Sequence, residues 1–404
     1  MCGINGVIYK TKTDNTAVRQ QLTVMNDLIV HRGPDADGTF AKSTDSYAVG
    51  MAMRRLSIID LSTGNQPMYS NDNSVAIVFN GEIYNFKIIR EELEQQGVSF
   101  TTHSDTEVIL KLYETFGTDG FSKLDGMFGF SIYDYNKGKV FIARDFFGEK
   151  PLYYTNSGNQ FYWASELKSI IKSLTTKPDI CREGLNLFFR LTYIPAPYTI
   201  YEGINKLEPN NYIEYDLKTF EFKINSIYDT TPLPKSRLSF EAAKKEVKNK
   251  VYKSVESRSI SDVPLGTFLS GGVDSSVVSY CLADMSDSKI DTFSIGFEKA
   301  SYDETDKSRV VAKLINSNHH EFVISESDLK HNIDDILFNF DEPFADSSSL
   351  PTYLVSNKTK AHVKVALTGD GGDEVFLGYD TYTADLLNSK IYFLKPLLKL
   401  HFDQ

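Results

Sequence analysis

Cysteine is scarce in this chain. Cys2, Cys181 and Cys281 are the only three, too few and too scattered for a disulfide framework or a zinc site, which fits a reducing compartment. A long hydrophobic run is absent: nothing approaches the ~20 apolar residues that a membrane-spanning helix needs. The N-terminus, Met-Cys-Gly-Ile-Asn-Gly, has no basic stretch followed by an apolar one, so it does not read as a leader. Positive charge is in deficit, 43 Lys and Arg against 54 Asp and Glu for a net −11, which argues against a general nucleic-acid surface. The Gly-Lys-Ser/Thr of the Walker P-loop is missing too. These absences leave a cytoplasmic globular protein as the expectation, with no membrane and no nucleic-acid partner. The 41% hydrophobic and 24% charged residues suffice for sizeable cores, and 404 residues suggest about two or three domains.

The most informative stretch is Leu269-Ser270-Gly271-Gly272-Val273-Asp274-Ser275-Ser276. It follows an apolar run at 263–269 that reads as a buried strand, and residues 273–282 read as a helix. Strand, glycine pair and helix present backbone N–H groups to phosphate, because glycine lets the backbone approach an anion and the helix N-terminus adds partial positive charge. Ser270, Ser275 and Ser276 can add hydroxyl donors. Asp274 cannot meet phosphate directly and suggests Mg²⁺ between carboxylate and polyphosphate. A bare Ser-Gly-Gly fits a capped turn equally well. The full run is far more specific, and it resembles the PP-loop of ATP pyrophosphatases, which release pyrophosphate and leave AMP on an acceptor.

A second glycine loop, Thr368-Gly369-Asp370-Gly371-Gly372-Asp373-Glu374, follows an apolar run at 363–367. Strands and helices alternate from residue 239 onward, which predicts a parallel sheet with helices on both faces. Such sheets bind ligands beyond the carboxyl ends of their strands, so both glycine loops can face one site. Aspartates beside glycines are also ordinary turn formers.

In the first half, Cys2 would carry a thiol and a free α-amino group on one residue once Met1 is removed. That amine, with a pKa near ~7.7, is a plausible base for the thiol. Arg55, opening the run Arg55-Leu56-Ser57-Ile58-Ile59, is either a surface charge or a fork for a carboxylate. Asn80-Gly81-Glu82 closes a strong strand at 75–79. Asn-Gly is most often a hairpin turn, but a helix follows here. An amide side chain plus a glycine N–H at a strand end could form an oxyanion hole. Asp105 either caps the next helix or receives an ammonium group. Closely spaced strands with two or three helices suggest a layered sheet sandwich to about residue 165.

Taken together, Met1-Cys2-Gly3-Ile4, His31-Arg32-Gly33-Pro34-Asp35, Arg55-Leu56-Ser57, Asn80-Gly81-Glu82-Ile83-Tyr84-Asn85, Ser104-Asp105-Thr106-Glu107 and the run from Arg144 to Tyr154 resemble the class II, N-terminal-nucleophile glutamine amidotransferases. Their order and spacing resemble the asparagine synthetase B family, in which such a domain precedes a PP-loop domain. The resemblance implies an αββα sandwich (α+β) followed by a doubly wound parallel α/β domain. It divides the chain into an amidotransferase domain at 2–200, a connecting segment at 201–238 and a synthetase-type domain at 239–404.

The same resemblance implies that Cys2 attacks the glutamine amide and that Asn80 and Gly81 stabilise the oxyanion. Glutamine would be held by Arg55, Leu56, Ser57, Ile58, Ile59, Asn80, Gly81, Glu82 and Asp105. Asp370 would take the acidic role at acceptor adenylation. ATP would be bordered by Leu269, Ser270, Gly271, Gly272, Asp274, Ser275, Ser276, Ile295, Thr368 and Gly369, mostly through backbone, with Asp274 and Asp373 on Mg²⁺. Glutamine, ATP and aspartate are the implied partners, with a homodimer as the candidate assembly. Two rival readings are the same chemistry on another carboxylate, such as a sugar acid of surface polysaccharide, and a chain that only hydrolyses glutamine or only binds. The family usually extends many helices beyond the 370–374 loop and places a lysine for acceptor chemistry there. No position here matches that lysine, so the synthetase half is expected to be incomplete. The closing residues Phe393, Leu394, Leu397, Leu398 and Leu400, interrupted by Pro396, are expected to form an apolar face that seeks a partner.

Overall fold

The computed structural model describes residues 2–299, 303 and 305–391, so the closing apolar stretch lies outside the described residues. Among them, no helix is long and apolar enough to cross a membrane. The chain forms two compact units. The first comprises residues 1–238, 260–263 and 331–350, and the second holds the remainder.

The first unit is built from twelve strands: β1 (Gly3–Tyr9), β2 (Ala36–Ser43), β3 (Ala48–Arg55), β4 (Met68–Tyr69), β5 (Val75–Ile83), β6 (Gly126–Asp134), β7 (Lys139–Arg144), β8 (Tyr153–Ser157), β9 (Gln160–Ala164), β10 (Ile204–Lys206), β11 (Asn211–Asp216) and β12 (Phe222–Ser226). They make two six-stranded antiparallel sheets, ordered β10-β8-β9-β1-β3-β2 and β12-β11-β7-β6-β5-β4. Period-two alternation assigns the two faces of each strand. Ile4, Ile8, Met51 and Trp163 of one sheet pack against Ala76, Val78, Ile142 and Tyr215 of the other. The opposite faces each bury a helical layer. Val7, Ala48 and Ala52 meet Val18, Leu22 and Met25 of the helix Asn15–Asp27. Ile77, Phe130 and Ile132 meet Ile89 and Leu93 of the helix Phe86–Gln95, and Val108 and Leu112 of the helix Asp105–Phe116. This is the αββα sandwich. The segment expected to be a connector at 201–238 instead supplies β10, β11 and β12, which edge both sheets. Ile204, Ile213 and Tyr215 are buried there; alternation in three- to six-residue strands is a weak sequence signal.

The second unit is a four-stranded sheet of β13 (Leu265–Phe268), β14 (Asp291–Phe297), β15 (Asn318–Ile324) and β16 (Val365–Leu367), ordered β15-β14-β13-β16. Its three pairings are all parallel. Leu265 and Leu367 pack with Val255 and Leu282 of the helices Phe240–Arg258 and Val273–Met285. Phe268, Phe293 and Phe322 pack with Val355 of the helix Ser349–Thr359. Helices thus cover both faces, as a doubly wound sheet requires. Chain order runs outward from β13 to β15 and then reverses to place β16 on the other side of β13. The switch point therefore falls between β13 and β16, and the two glycine loops are the connections leaving those strands.

Candidate active sites

In the first unit, a cleft is lined by Cys2, Arg55, Leu56, Ile58, Ile59, Asn80, Gly81, Glu82 and Asp105. Ser57 is absent from the lining; its backbone N–H donates to Asp35 Oδ2 at 2.9 Å instead. Cys2 stands at the threshold of β1, and its Sγ accepts the Leu56 N–H at 3.3 Å. Arg32 Nε donates to the Cys2 carbonyl at 2.8 Å and its Nη1 meets Glu166 at 3.1 Å. Burial pushes the Cys2 thiol up, and the Leu56 hydrogen bond offsets this in part.

Arg55 is the last residue of β3 and is only 5% exposed. Nη2 donates to the Asp60 carbonyl at 2.6 Å and the Ile59 carbonyl at 3.2 Å, and Nη1 donates to Asn65 Oδ1 at 3.1 Å. A Cβ on Gly64 would lie 2.3 Å from Nη2, so glycine there makes room for the guanidinium. The planar fork is held by its outer edge, which suits a buried carboxylate partner.

Asn80 and Gly81 lie within β5 rather than in a turn, opposite Gly129 and Phe128 of β6. The Asn80 side chain is fully buried, and neither its Nδ2 nor its Oδ1 has a partner among the described residues. A Cβ on Gly81 would stand 2.0 Å from the Met127 carbonyl, so the backbone passes where a side chain cannot. Ser104, not Asp105, caps the following helix by accepting the Thr106 N–H at 3.1 Å. Asp105 is thereby released to accept the Ile83 N–H at 3.1 Å. Burial pushes Asp105 up to about 6. Burial and the Asp105 charge push Glu82 up to about 7, against the nearby Lys150.

Gln66, Thr106, Met127 and Lys150 also line this cleft, and sequence reasoning did not single them out. Lys150 is buried, and burial lowers its pKa. Its loop is anchored by Arg144, which donates to the carbonyls of Gly148 at 2.7 Å and Lys150 at 2.8 Å. Asp145 holds it from the other side, accepting the N–H groups of Phe128, Glu149 and Lys150.

The second unit brings its two glycine loops into contact. Gly271 has φ +86°, and a Cβ there would meet Ser308 N at 2.7 Å. Ser270 Oγ accepts the Gly272 N–H at 3.3 Å and lies 2.9 Å from Ser275 Oγ. The Ser276 hydroxyl is sealed from solvent with no partner among the described residues. Thr267 and Ser279 share a buried hydrogen bond of 2.7 Å that ties β13 to the helix. Leu269 is fully buried, leaving only its backbone near the loop, and Ile295 packs beside Phe293. In the second loop, Thr368 Oγ1 donates to Asp370 Oδ2 at 2.9 Å. A Cβ on Gly369 would stand 2.7 Å from Ser275 N, and one on Gly372 would stand 2.4 Å from the Asp274 carboxyl carbon. The Asp274 carboxyl is pushed up by burial and by the charges of Asp373 and Glu374. No three His, Cys, Asp or Glu side chains among the described residues could hold a metal ion alone. Carboxylates that repel one another beside a glycine loop at a helix start do suit a cation shared with a polyphosphate.

Two domain families match this chain: a glutamine amidotransferase domain over residues 1–226 and asparagine synthase over residues 246–399. A Methanocaldococcus jannaschii protein provisionally named asparagine synthetase (glutamine-hydrolysing) 2 is 40% identical over 402 residues, covering 95% of this chain and 76% of that protein. Asparagine synthetase (glutamine-hydrolysing) 1 of Bacillus subtilis is 40% identical over 393 residues, covering 96% of this chain and 60% of that protein. Amidase chyE of Penicillium rubens is 31% identical over 418 residues, with 96% and 60% covered. This chain therefore spans about three fifths of the length of the last two relatives. It belongs to the family of glutamine-hydrolysing asparagine synthetases.

Proposed function

We propose that the chain hydrolyses glutamine at Cys2 and uses the ammonia, with ATP, to amidate the side-chain carboxylate of aspartate. The observation that carries this is the buried, unpartnered Asn80 amide in the cleft that also holds Cys2 and Gly81. A buried amide without partners costs about 1–3 kcal/mol, and a tetrahedral oxyanion is a group that would use its donor.

With Met1 removed, the Cys2 α-amine takes the thiol proton and Sγ attacks the glutamine amide carbon. Asn80 Nδ2 and the Gly81 N–H stabilise the oxyanion, the Cys2 α-ammonium returns its proton to the leaving nitrogen as the C–N bond breaks and ammonia departs, and water hydrolyses the thioester to glutamate and restores the thiol. Arg55 pairs with the substrate α-carboxylate, while Asp105 and Glu82 receive the α-ammonium. In the second unit, the glycine-loop N–H groups and Ser270 and Ser275 hold the ATP phosphates. Asp274 and Asp373 would hold Mg²⁺, which neutralises phosphate charge when bound. The aspartate carboxylate attacks the α-phosphorus, pyrophosphate leaves, and ammonia displaces AMP from the acyl-adenylate. Asp370 lies beside this acceptor chemistry. The direct test is Cys2→Ala. Glutamine-dependent amide formation should vanish while synthesis from ammonium salts persists, and equal loss from both nitrogen sources would refute the two-site reading. Aspartate-dependent pyrophosphate release in the same assay identifies the acceptor; release only with another acid would assign the chain a different carboxylate.

A further inference from the structure

We propose that Gln66 is a positioning residue for the oxyanion donor of the glutamine site. The inference rests on the glutaminase reading and assigns that site one more part. In the β5–β6 ladder, the Tyr84 N–H donates to the Asp125 carbonyl, so the even-numbered residues of β5 turn their N–H groups toward β6. Alternation turns the N–H groups of Phe79, Gly81 and Ile83 to the opposite edge. Along that edge β4 pairs only Met68 with Ile77 and Tyr69 with Ala76. The pairing stops at Met68 and does not reach the Phe79 N–H.

The Gln66 side chain takes over where β4 stops. Its Oε1 accepts the Phe79 N–H at 2.7 Å, and its Nε2 donates to Thr106 Oγ1 at 3.1 Å. Thr106 follows Asp105, whose Oδ2 accepts the Ile83 N–H at 3.1 Å. Two side chains therefore satisfy the N–H groups on either side of Gly81. They tie this edge of β5 to the first turn of the helix Asp105–Phe116 and leave the Gly81 N–H facing the cleft between them. Gln66 itself lines that cleft. Without Gln66, the Phe79 N–H loses its acceptor and this side of the Gly81 peptide loses its tether. The Gly81 donor then tilts, and a tilted donor is felt at the oxyanion more than at bound glutamine.

The test is Gln66→Met, of similar length without the amide, in the full chain. Glutamine hydrolysis should lose roughly ten- to hundredfold in kcat with KM within about threefold, the pattern of a contact made only in the transition state. Alkylation of Cys2 by iodoacetamide passes through no oxyanion, so its rate should stay within about twofold. Thr106→Val should reproduce the loss, Thr106→Ser should restore it, and the Gln66→Met/Thr106→Val double variant should be no worse than either single one. A kcat within about twofold of the parent overturns the proposal, as does a fall in alkylation rate parallel to kcat, which would mean a collapsed pocket. A parent chain without Cys2-dependent hydrolysis overturns the glutaminase reading itself; a hydrolysing chain indifferent to Gln66→Met overturns this inference alone.

Discussion

Glu82 and Asp105 share a cleft with Cys2, Arg55 and Lys150, and their protonation decides whether a substrate ammonium finds a counter-charge. Both are raised, to about 7 and about 6, chiefly by burial. A raised acid holds its proton to higher pH, so the binding charge is present on the alkaline side and lost as pH falls. The kcat/KM for glutamine, which reports the free enzyme, should therefore fall with an inflection near 7. Glu82→Gln leaves Asp105 as the titrating carboxyl, and the inflection should move down toward 6. An unmoved profile would assign the limb to another group. Asn80→Ala should lower glutaminase kcat by roughly 10²–10³ while ammonia-dependent synthesis is kept, because one oxyanion donor is removed. Near-normal turnover in a folded variant would reduce Asn80 to a buried amide. Cys2, Arg55, Asn80 and Asp105 each stand in a specific run whose family resemblance points to them, and the structure gathers them in one cleft. Gln66 was not legible in the sequence, since its role comes from a side chain replacing a strand that stops at Met68, which no local pattern announces.

At the scale of elements, the two glycine loops meet because of strand order. Sequence alternation predicts a parallel sheet, but only the order β15-β14-β13-β16 puts the loops after β13 and β16 at adjacent strand ends. The close approach of Gly369 and Gly372 to Asp274 then explains why small residues stand there. Asp274→Asn keeps the shape and removes the charge that a cation needs. It should abolish ATP-dependent pyrophosphate release and leave glutamine hydrolysis intact; undiminished release at low Mg²⁺ would exclude a metal role for this carboxylate. The strand expected to close at Asn80-Gly81 instead runs on to Ile83, because tertiary pairing of all nine residues of β5 with β6 overrides the local turn preference of Asn-Gly.

For the whole molecule, sequence order and spatial units diverge at two places. Residues 331–350 lie deep in the second half of the chain, yet they belong to the first unit, with residues 260–263. The expected division into 2–200, 201–238 and 239–404 is continuous along the chain, and nothing local marks a later segment that returns. Ionic contacts hold it there. Lys168 reaches Asp341 at 3.1 Å, and Lys206 pairs with Glu342, their side chains 13% and 14% exposed. Burial lowers the Lys206 pKa and raises that of Glu342, so for each partner the loss of water outweighs what the pairing returns. Such a pair adds little net stability over apolar residues of similar volume, but breaking one side leaves an uncompensated buried charge. Glu342→Gln should therefore destabilise the first unit by about 3–5 kcal/mol, and the double replacement Lys206→Met/Glu342→Leu should recover most of that loss. Denaturant unfolding followed by Trp163 fluorescence measures both, since Trp163 is the chain's single tryptophan and sits in the inter-sheet core of this unit. If the single variant unfolds at the parent's midpoint, the returning segment is not held by this pair. If the double variant is as unstable as the single one, the cost lies in lost packing rather than in a stranded ammonium.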